Sequence, residues 1–426
     1  MSQRSVPFGK SFREIHFKEL DPEYLAVNHG AYGMTPSLVF KKFKEVMEDD
    51  YSNPDYFRRV EQPAIYVETL KELSTVLNTD YRNLALVDNS TSGINTVLRS
   101  YPFKKGDKIV APSTVFNNCG KTIEFLQDRY GIIYESVELN YPLEDSEILA
   151  LFEDILQKGD VKLALFDTVI STPAVRFPFE KMVKLCQSFS VLSFIDGAHS
   201  AGLLPIDLDE IQPDFYVSNL HKWFFVPRNS AILYVSKKNH RKIHTMPIVS
   251  SYVGDETEVS AEEENNWLID RFADVSTKNF AAAASIRTAI KFRQEQCGGE
   301  ESIRNYCYNL ARKASELVSN KWGTSVLENE ARSLTTAMFN VEVPLEQLGL
   351  NVDDYKENAN ELYFSMHKGK RVVVPLFIHN NKVYGRFSAQ IYNELDDYDK
   401  ASDIVYQLFV NIARKKAQKK FQDTSI

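Results

Sequence analysis

Between residues 36 and 240 the sequence alternates short apolar runs with stretches of helical period, and this alternation limits the available folds more than any other feature. The runs span 84–87, 108–112, 132–137, 163–169, 191–195, 215–217 and 231–235. Most carry apolar residues at successive positions, as strands covered on both faces do. Helical signals separate them. Thr35 reads as a cap with Pro36 in the first turn, and Val39, Phe43 and Val46 then recur at helical spacing. Ile94, Val97, Leu98 and Tyr101 mark one face of a helix after the first run, and further helices fall around 121–129 and 180–189. The pattern predicts an α/β protein whose mainly parallel sheet carries helices on both faces.

At 426 residues the chain is too long for one hydrophobic core to organise, so two domains are expected. An acidic polar stretch at 254–266 precedes a long helical segment through 281–296, and the remainder mixes helix and strand. This divides the chain into an N-terminal arm (1–35) packing with the small domain, a large domain (36–285) and a smaller α+β C-terminal domain (286–426). Hydrophobic residues make up 43% and charged residues 25%, which excludes disorder. A net charge of −8 without a basic face argues against nucleic acid. The basic run 414–420 reads as a solvated helix end. Four cysteines without a CxxC pair fit a reducing compartment. No apolar stretch has signal-peptide or membrane-span length, and Thr424-Ser425-Ile426 is no peroxisomal signal, so the cytoplasm is expected.

Parallel sheets of this kind bind ligands beyond the carboxyl ends of their strands. After 84–87 comes Asp88-Asn89-Ser90-Thr91-Ser92-Gly93, hydroxyls and a glycine at a helix start, which can cap the helix or cradle an anion. After 191–195 comes Asp196-Gly197-Ala198-His199. An aspartate there either caps a turn or faces a cation. After 215–217 comes Ser218-Asn219-Leu220-His221-Lys222-Trp223. A lysine in apolar surroundings has a depressed pKa and is nucleophilic, as Schiff-base chemistry requires; the plain reading is a snorkelling surface lysine. Each signal alone is modest. Together they give a phosphate cup, an acid and a lysine in one chain order.

These stretches, with Asn28–Gly33, 271–278 and 386–393, resemble class V of the fold type I pyridoxal 5′-phosphate (PLP) enzymes. The similarity is greatest to the isopenicillin-N-epimerase-like subgroup, with its cysteine desulfhydrases and hercynylcysteine sulfoxide lyases. The resemblance implies a PLP-dependent transferase fold. It makes Lys222 the Schiff-base lysine, Asp196 the partner of the pyridine nitrogen and His199 a neighbour of the phenolic oxygen. Thr91 and Ser92 would hold the phosphate with Asn219 and His221. Thr277 would reach it from the neighbouring subunit of a homodimer. Ser171 or Thr172 would contact cofactor or substrate, Arg386 would clamp the substrate α-carboxylate, and Asn28 and His29 would stand at the entrance.

Two departures narrow the expected activity. Persulfide-forming desulfurases carry a cysteine late in the chain, whereas the last one here is Cys307. In Ser113–Thr122 the related fungal lyases place a tyrosine where this chain has Phe116, which can stack on the cofactor but cannot donate a proton. Tyr32, Tyr56 and His29 are candidate substitutes. The expected function is β-elimination on an S-substituted cysteine, giving pyruvate and ammonia, with a small-molecule amino acid as substrate and a second copy of the chain as partner. An epimerase or aminotransferase on the same scaffold is the alternative, and a catalytically idle PLP-fold binding protein the third. His240 and His244 have helical metal-pair spacing but lack further ligands, so no metal is expected. Phe57-Arg58-Arg59 either reaches into the site toward an anionic substrate group or is a solvated or dimer-contact segment.

Overall fold

Strands as apolar as these cannot leave either face in water, and the computed structural model buries them accordingly. It describes residues 6–254, 256–369 and 371–423. The first five residues, Asp255 of the acidic stretch and the Thr424-Ser425-Ile426 terminus lie outside the described residues. Seven strands form one sheet: β1 Leu84–Val87, β2 Lys108–Pro112, β3 Ile133–Val137, β4 Val161–Asp167, β5 Leu192–Asp196, β6 Phe215–Asn219 and β7 Ala231–Val235. Their order across the sheet is β1-β7-β6-β5-β4-β2-β3. β2 to β6 pair in parallel, while β7 lies antiparallel between β6 and β1. β1 to β6 therefore all point the same way, and their carboxyl ends share one edge.

The helices Ser90–Ser100, Asn117–Tyr130, Asp145–Leu156 and Phe179–Ser188 link or cover these strands. Gly93 lets the first of them sit low on the sheet, because a Cβ there would collide with Val217 of β6. A second, antiparallel sheet has the order β8-β10-β9, with β8 Met338–Glu342, β9 Leu376–His379 and β10 Lys382–Ser388. The helices Glu300–Trp322 and Leu395–Asp423 accompany it, and Trp322, Phe339, Phe387, Tyr398 and Phe409 make its separate core. N-terminal residues reach this part of the molecule. Leu25 bridges Val372, Val27 O accepts from Ser388 N at 2.7 Å, and Gly9 N donates to Ile391 O at 2.8 Å.

Local departures from the sequence reading have local causes. The segment 281–296 is not one helix but two, Ala281–Ala284 and Ile286–Glu295. Ser285 Oγ donates back to Ala281 O at 2.6 Å, offering that carbonyl a partner outside the helical ladder. The acidic stretch contains a helix, Ala261–Asn265, started by a reciprocal Ser260–Glu263 capping box. The helix after Thr35 is Ser37–Ser52, with Pro36 itself at the cap and no side-chain cap bond. His240 and His244 do not share a helical face. His240 lies in the 3-10 turn Lys237–Lys242, where its Nε2 meets Val235 O at 3.0 Å, and the chain is extended again at Ile243. Among the described residues no group of three or more His, Cys, Asp or Glu could hold a metal ion, and no helix is long and apolar enough to cross a membrane.

Candidate active site at the strand ends

β1 ends beside the helix Ser90–Ser100, whose first-turn amides have no partners within the helix. Asn89 Oδ1 takes Ser92 N at 2.9 Å, and Asn219 Oδ1, from the end of β6, takes Ser90 N at 2.9 Å. Asn219 is thus an acceptor toward the helix start, leaving its amide NH₂ as donor. Ser90 Oγ is buried with no partner. Lys278 Nζ pairs with Asp88 at 3.1 Å, which brings the segment containing Thr277 to the lip of its own chain's cup. Arg58 is held by Asp50 and Lys278 O, tying the Phe57-Arg58-Arg59 segment to the same lip.

Two carboxylates stand side by side at the ends of β4 and β5, where Asp167 and Asp196 are register partners. Both are buried. Asp196 Oδ1 accepts Ala198 N at 3.0 Å, and Cys119 Sγ lies 3.5 Å from its Oδ2. Asp167 Oδ2 has no partner. Burial pushes both carboxyls above the usual range, and the neighbouring Asp196 raises Asp167 further. Neither carboxylate forms an ion pair among the described residues, so a cation placed against this end of the site would be welcome. Phe116, half-exposed, caps the helix that carries Cys119 one turn later.

Lys222 follows β6. Burial lowers its amine to about 8, against the opposing pull of Asp196. Its Nζ lies 3.1 Å from His199 Nε2, and Trp223 Nε1 donates to His199 Nδ1 at 3.1 Å. Burial also drives His199 well below 6.5, followed by the charge of Lys222. His221 is lowered to about 4 by the same two causes in the same order. Its Nδ1 meets Ser230 O at 3.4 Å.

His29 is not at an entrance. It is 3% exposed, its Nε2–H donates to Lys222 O at 2.7 Å, and its Nδ1 accepts from the Tyr392 hydroxyl at 2.8 Å. Burial lowers it to about 3, so it is a neutral strut under the lysine backbone. The resemblance places it at the entrance, and a motif match says nothing about depth. Arg293, absent from that reading, braces the same loop. Its buried guanidinium donates to Trp223 O at 2.7 Å and Gly202 O at 3.1 Å, and it pairs with Glu300 at 2.6 Å. Trp223, Cys119 and Asp167 were also missed as site residues. Only Asp167 had a sequence signal, an acid closing an apolar run just as Asp196 does.

Arg386 of β10 is 6% exposed. Its Nη1 donates to Ser171 O at 2.9 Å and Ser171 Oγ at 3.2 Å, and its Nη2 to Asn28 Oδ1 at 2.9 Å. Its Nε is buried without a partner. Burial lowers this guanidinium to about 10, and no carboxylate lies within ion-pair distance among the described residues. A buried cation lacking its anion is costly unless a ligand supplies one. Arg386 and Asn28 form part of the wall of a cleft of about 730 Å³, also lined by Tyr24, Tyr32, Tyr355 and Tyr392. Asp196, His199, His221 and Lys222 do not line that cleft, but the charge of Arg386 is felt at both Lys222 and His199, which sets the Arg386–Ser171–Asn28 group near the lysine.

A family model described as aminotransferase class-V matches residues 28–400. The hercynylcysteine sulfoxide lyase of Schizosaccharomyces pombe is 30% identical over 402 residues, covering 93% of this chain and 97% of that protein. The L-cysteine desulfhydrase-like protein lolT1 of Epichloe uncinata is 27% identical over 438 residues, covering 95% and 96%. Among solved structures, a lysine-to-alanine variant of C-DES with glycine covalently linked to the PLP cofactor superposes with a TM-score of 0.71 at 18% identity. It covers 94% of this chain and 98% of its own.

Proposed function

The chain belongs to the aminotransferase class-V family, and on that premise we propose that it is a PLP-dependent carbon–sulfur lyase acting on an S-substituted cysteine or a related amino acid. The observation that carries the amino-acid part of this reading is Arg386, a buried guanidinium with an unpartnered Nε and no counter-ion among the described residues. Its planar fork suits a carboxylate, gripped by two parallel hydrogen bonds. The residues present also fit the cofactor. The amine of Lys222 is depressed by burial, Asp196 is a buried carboxylate awaiting a cation, and Ser90 Oγ is an orphan at a helix N-terminus. Lys222 would hold the cofactor covalently, Asp196 would pair with its ring nitrogen, and Thr91, Ser92, Asn219 and His221 would surround its phosphate.

Bound there, the cofactor supplies an electron sink for the bond broken at the substrate α-carbon. The protein's own part is positional and protonic. Arg386, held by Ser171 and Asn28, fixes the α-carboxylate. Lys222 would take the α-proton at its Nζ. His199 and Asp196 keep the polar end of the site anchored, and the exposed ring of Phe116 would cover one face without donating a proton. Loss of the sulfur substituent with hydrolysis yields pyruvate and ammonia. The names of the two relatives, a sulfoxide lyase and a desulfhydrase-like protein, support this outcome. An epimerase needs a second acid, and His29, one candidate, is occupied by Tyr392 and Lys222 O.

We extend the proposal to a homodimer, with Thr277 reaching the partner's phosphate cup from the lip of its own, where Lys278 holds the segment on Asp88. Large apolar side chains left exposed on residues 32–60, among them Tyr32, Tyr51, Tyr56 and Val60, support a buried face in the assembly. Four free cysteines support the cytoplasm. Pyruvate release from L-cysteine, S-alkylcysteines and cysteine S-oxides tests the activity. Release from any of them supports the lyase. No pyruvate, with a cofactor spectrum that still shifts on adding amino acid, would replace it by an epimerase or aminotransferase.

A further inference from the structure

The contacts around Lys222 fix more than its position. An indole N–H can only donate, so His199 Nδ1, facing Trp223 Nε1 at 3.1 Å, must be the acceptor. A neutral imidazole with a bare Nδ1 carries its hydrogen on Nε2, the atom 3.1 Å from Lys222 Nζ. The lysine must then accept, which an ammonium cannot do. We propose that Trp223 is a positioning residue whose indole N–H locks His199 in the Nε2–H tautomer, so that the histidine holds the Lys222 amine in the unprotonated form that captures the cofactor aldehyde. In that step the amine nitrogen bonds the aldehyde carbon, and water leaves with the aldehyde oxygen and the two amine protons. The inference rests on the cofactor reading above.

Other charges face the same amine. Asp196 and Asp167 at the ends of β5 and β4, and Cys119 from the helix Asn117–Tyr130, favour its protonated form. Arg386 of β10 opposes it, and burial outweighs them all. His199 itself faces Lys222, Arg386, His221 and His29, every one of which disfavours a charged imidazole. Imidazolium would in any case point an N–H at the indole N–H. Burial and charge thus keep His199 neutral, and Trp223 chooses between its two neutral tautomers.

The test is the pH profile of PLP capture by the full-length chain after cofactor removal, read from the absorbance of the bound cofactor. The parent profile should have its midpoint near 8, the value to which burial brings the amine. Trp223→Phe keeps an aromatic ring but loses the donor. His199 can then place its hydrogen on Nδ1 and accept from a Lys222 ammonium, raising the midpoint by about one unit and slowing capture at pH 7 about tenfold. A Trp223→Phe profile that matches the parent, in a variant of unchanged circular dichroism, overturns the proposal. ¹⁵N-histidine NMR of the parent, assigned by loss of the signal in His199→Gln, decides the tautomer directly. An Nδ1–H signal overturns the proposal and an Nε2–H signal supports it, even if Trp223→Phe does not fold. If the parent takes up no PLP, the cofactor reading fails, while the tautomer remains measurable.

Discussion

Replacing Arg386 by leucine should destroy recognition of the α-carboxylate while leaving the cofactor site intact. Three guanidinium bonds to Ser171 and Asn28 orient the side chain, and the buried Nε–H and the second Nη2–H are left for a ligand. A bound carboxylate would take Nε–H and the Nη2–H that Asn28 does not use. Charge-assisted hydrogen bonds contribute about 1.5–3 kcal/mol each, and part of this is offset by desolvation of the carboxylate. A net loss of about 3–4 kcal/mol corresponds to a fall in kcat/KM of roughly 200- to 1,000-fold. Arg386→Lys keeps a charge but not the fork, and should recover only part of this. The assay pairs pyruvate release with titration of the cofactor absorbance, using an amino acid and the matching amine that lacks the carboxylate. The parent should prefer the amino acid strongly, and the leucine variant should barely distinguish the two. Loss of affinity for both ligands alike would refute the reasoning, because it would mean general damage. So would a kcat/KM within about fivefold of the parent's, which lies far below the value worked out from these bonds.

Three further outcomes follow from other contacts. Arg293→Leu leaves the carbonyls of Trp223 and Gly202 unpaired and should cost about 3–5 kcal/mol. With an unfolding entropy near 2.1 cal/mol/K per residue over the 426 residues, a chain melting as one unit should lose about 3–6 °C in Tm by scanning calorimetry. The buried histidines His29 (lowered to about 3), His221 and His240 (both to about 4) stay neutral when folded but take protons near 6.5 when unfolded. Stability that is full above pH 6.5 should therefore be lost as pH falls toward 4, at about 1.4 kcal/mol per pH unit for each histidine; urea midpoints should show this, and His240→Gln should lessen the slope by one proton. Phe116→Tyr adds a proton donor at a half-exposed ring and should speed pyruvate release from cysteine S-oxides at least about tenfold, with the cofactor spectrum unchanged.

Much of this architecture can be read from apolar runs and the residues that close them. β1, β2 and β7 begin and end where the sequence reading put them, and Lys222, Asp196 and Arg386 stood out as polar groups in apolar settings. The reading carried β4 two residues too far, to Val169, because Thr168 and Val169 continue its β-rich pattern. In the structure Asp167 ends the strand and Val169 instead bridges Arg176. The antiparallel placement of β7 was not legible, since a strand buried on both faces reads the same in either direction. Its one hint was the lack of a helical pattern between Asn219 and Ala231. Trp223 and Arg293 escaped for a different reason. Their roles lie in what they touch, and Arg293 meets its carbonyl partners 70 and 91 positions earlier in the chain.

The insertion of β7 between β6 and β1 bears on how the molecule comes into being on the ribosome. β1 pairs with β7 alone, Leu84 opposite Tyr234, so the strand that leads into the phosphate cup has no neighbour until some 150 more residues have emerged. The carboxylate clamp closes later still, because Asn28 meets Arg386 358 positions further along. Contacts of such separation form slowly, and until they form the apolar edge of β1 stays open to other chains. A nascent chain would carry its first strand unpaired through roughly a third of translation, so yield in a heterologous host should respond to chaperone supply and growth temperature more than to codon choice near the start.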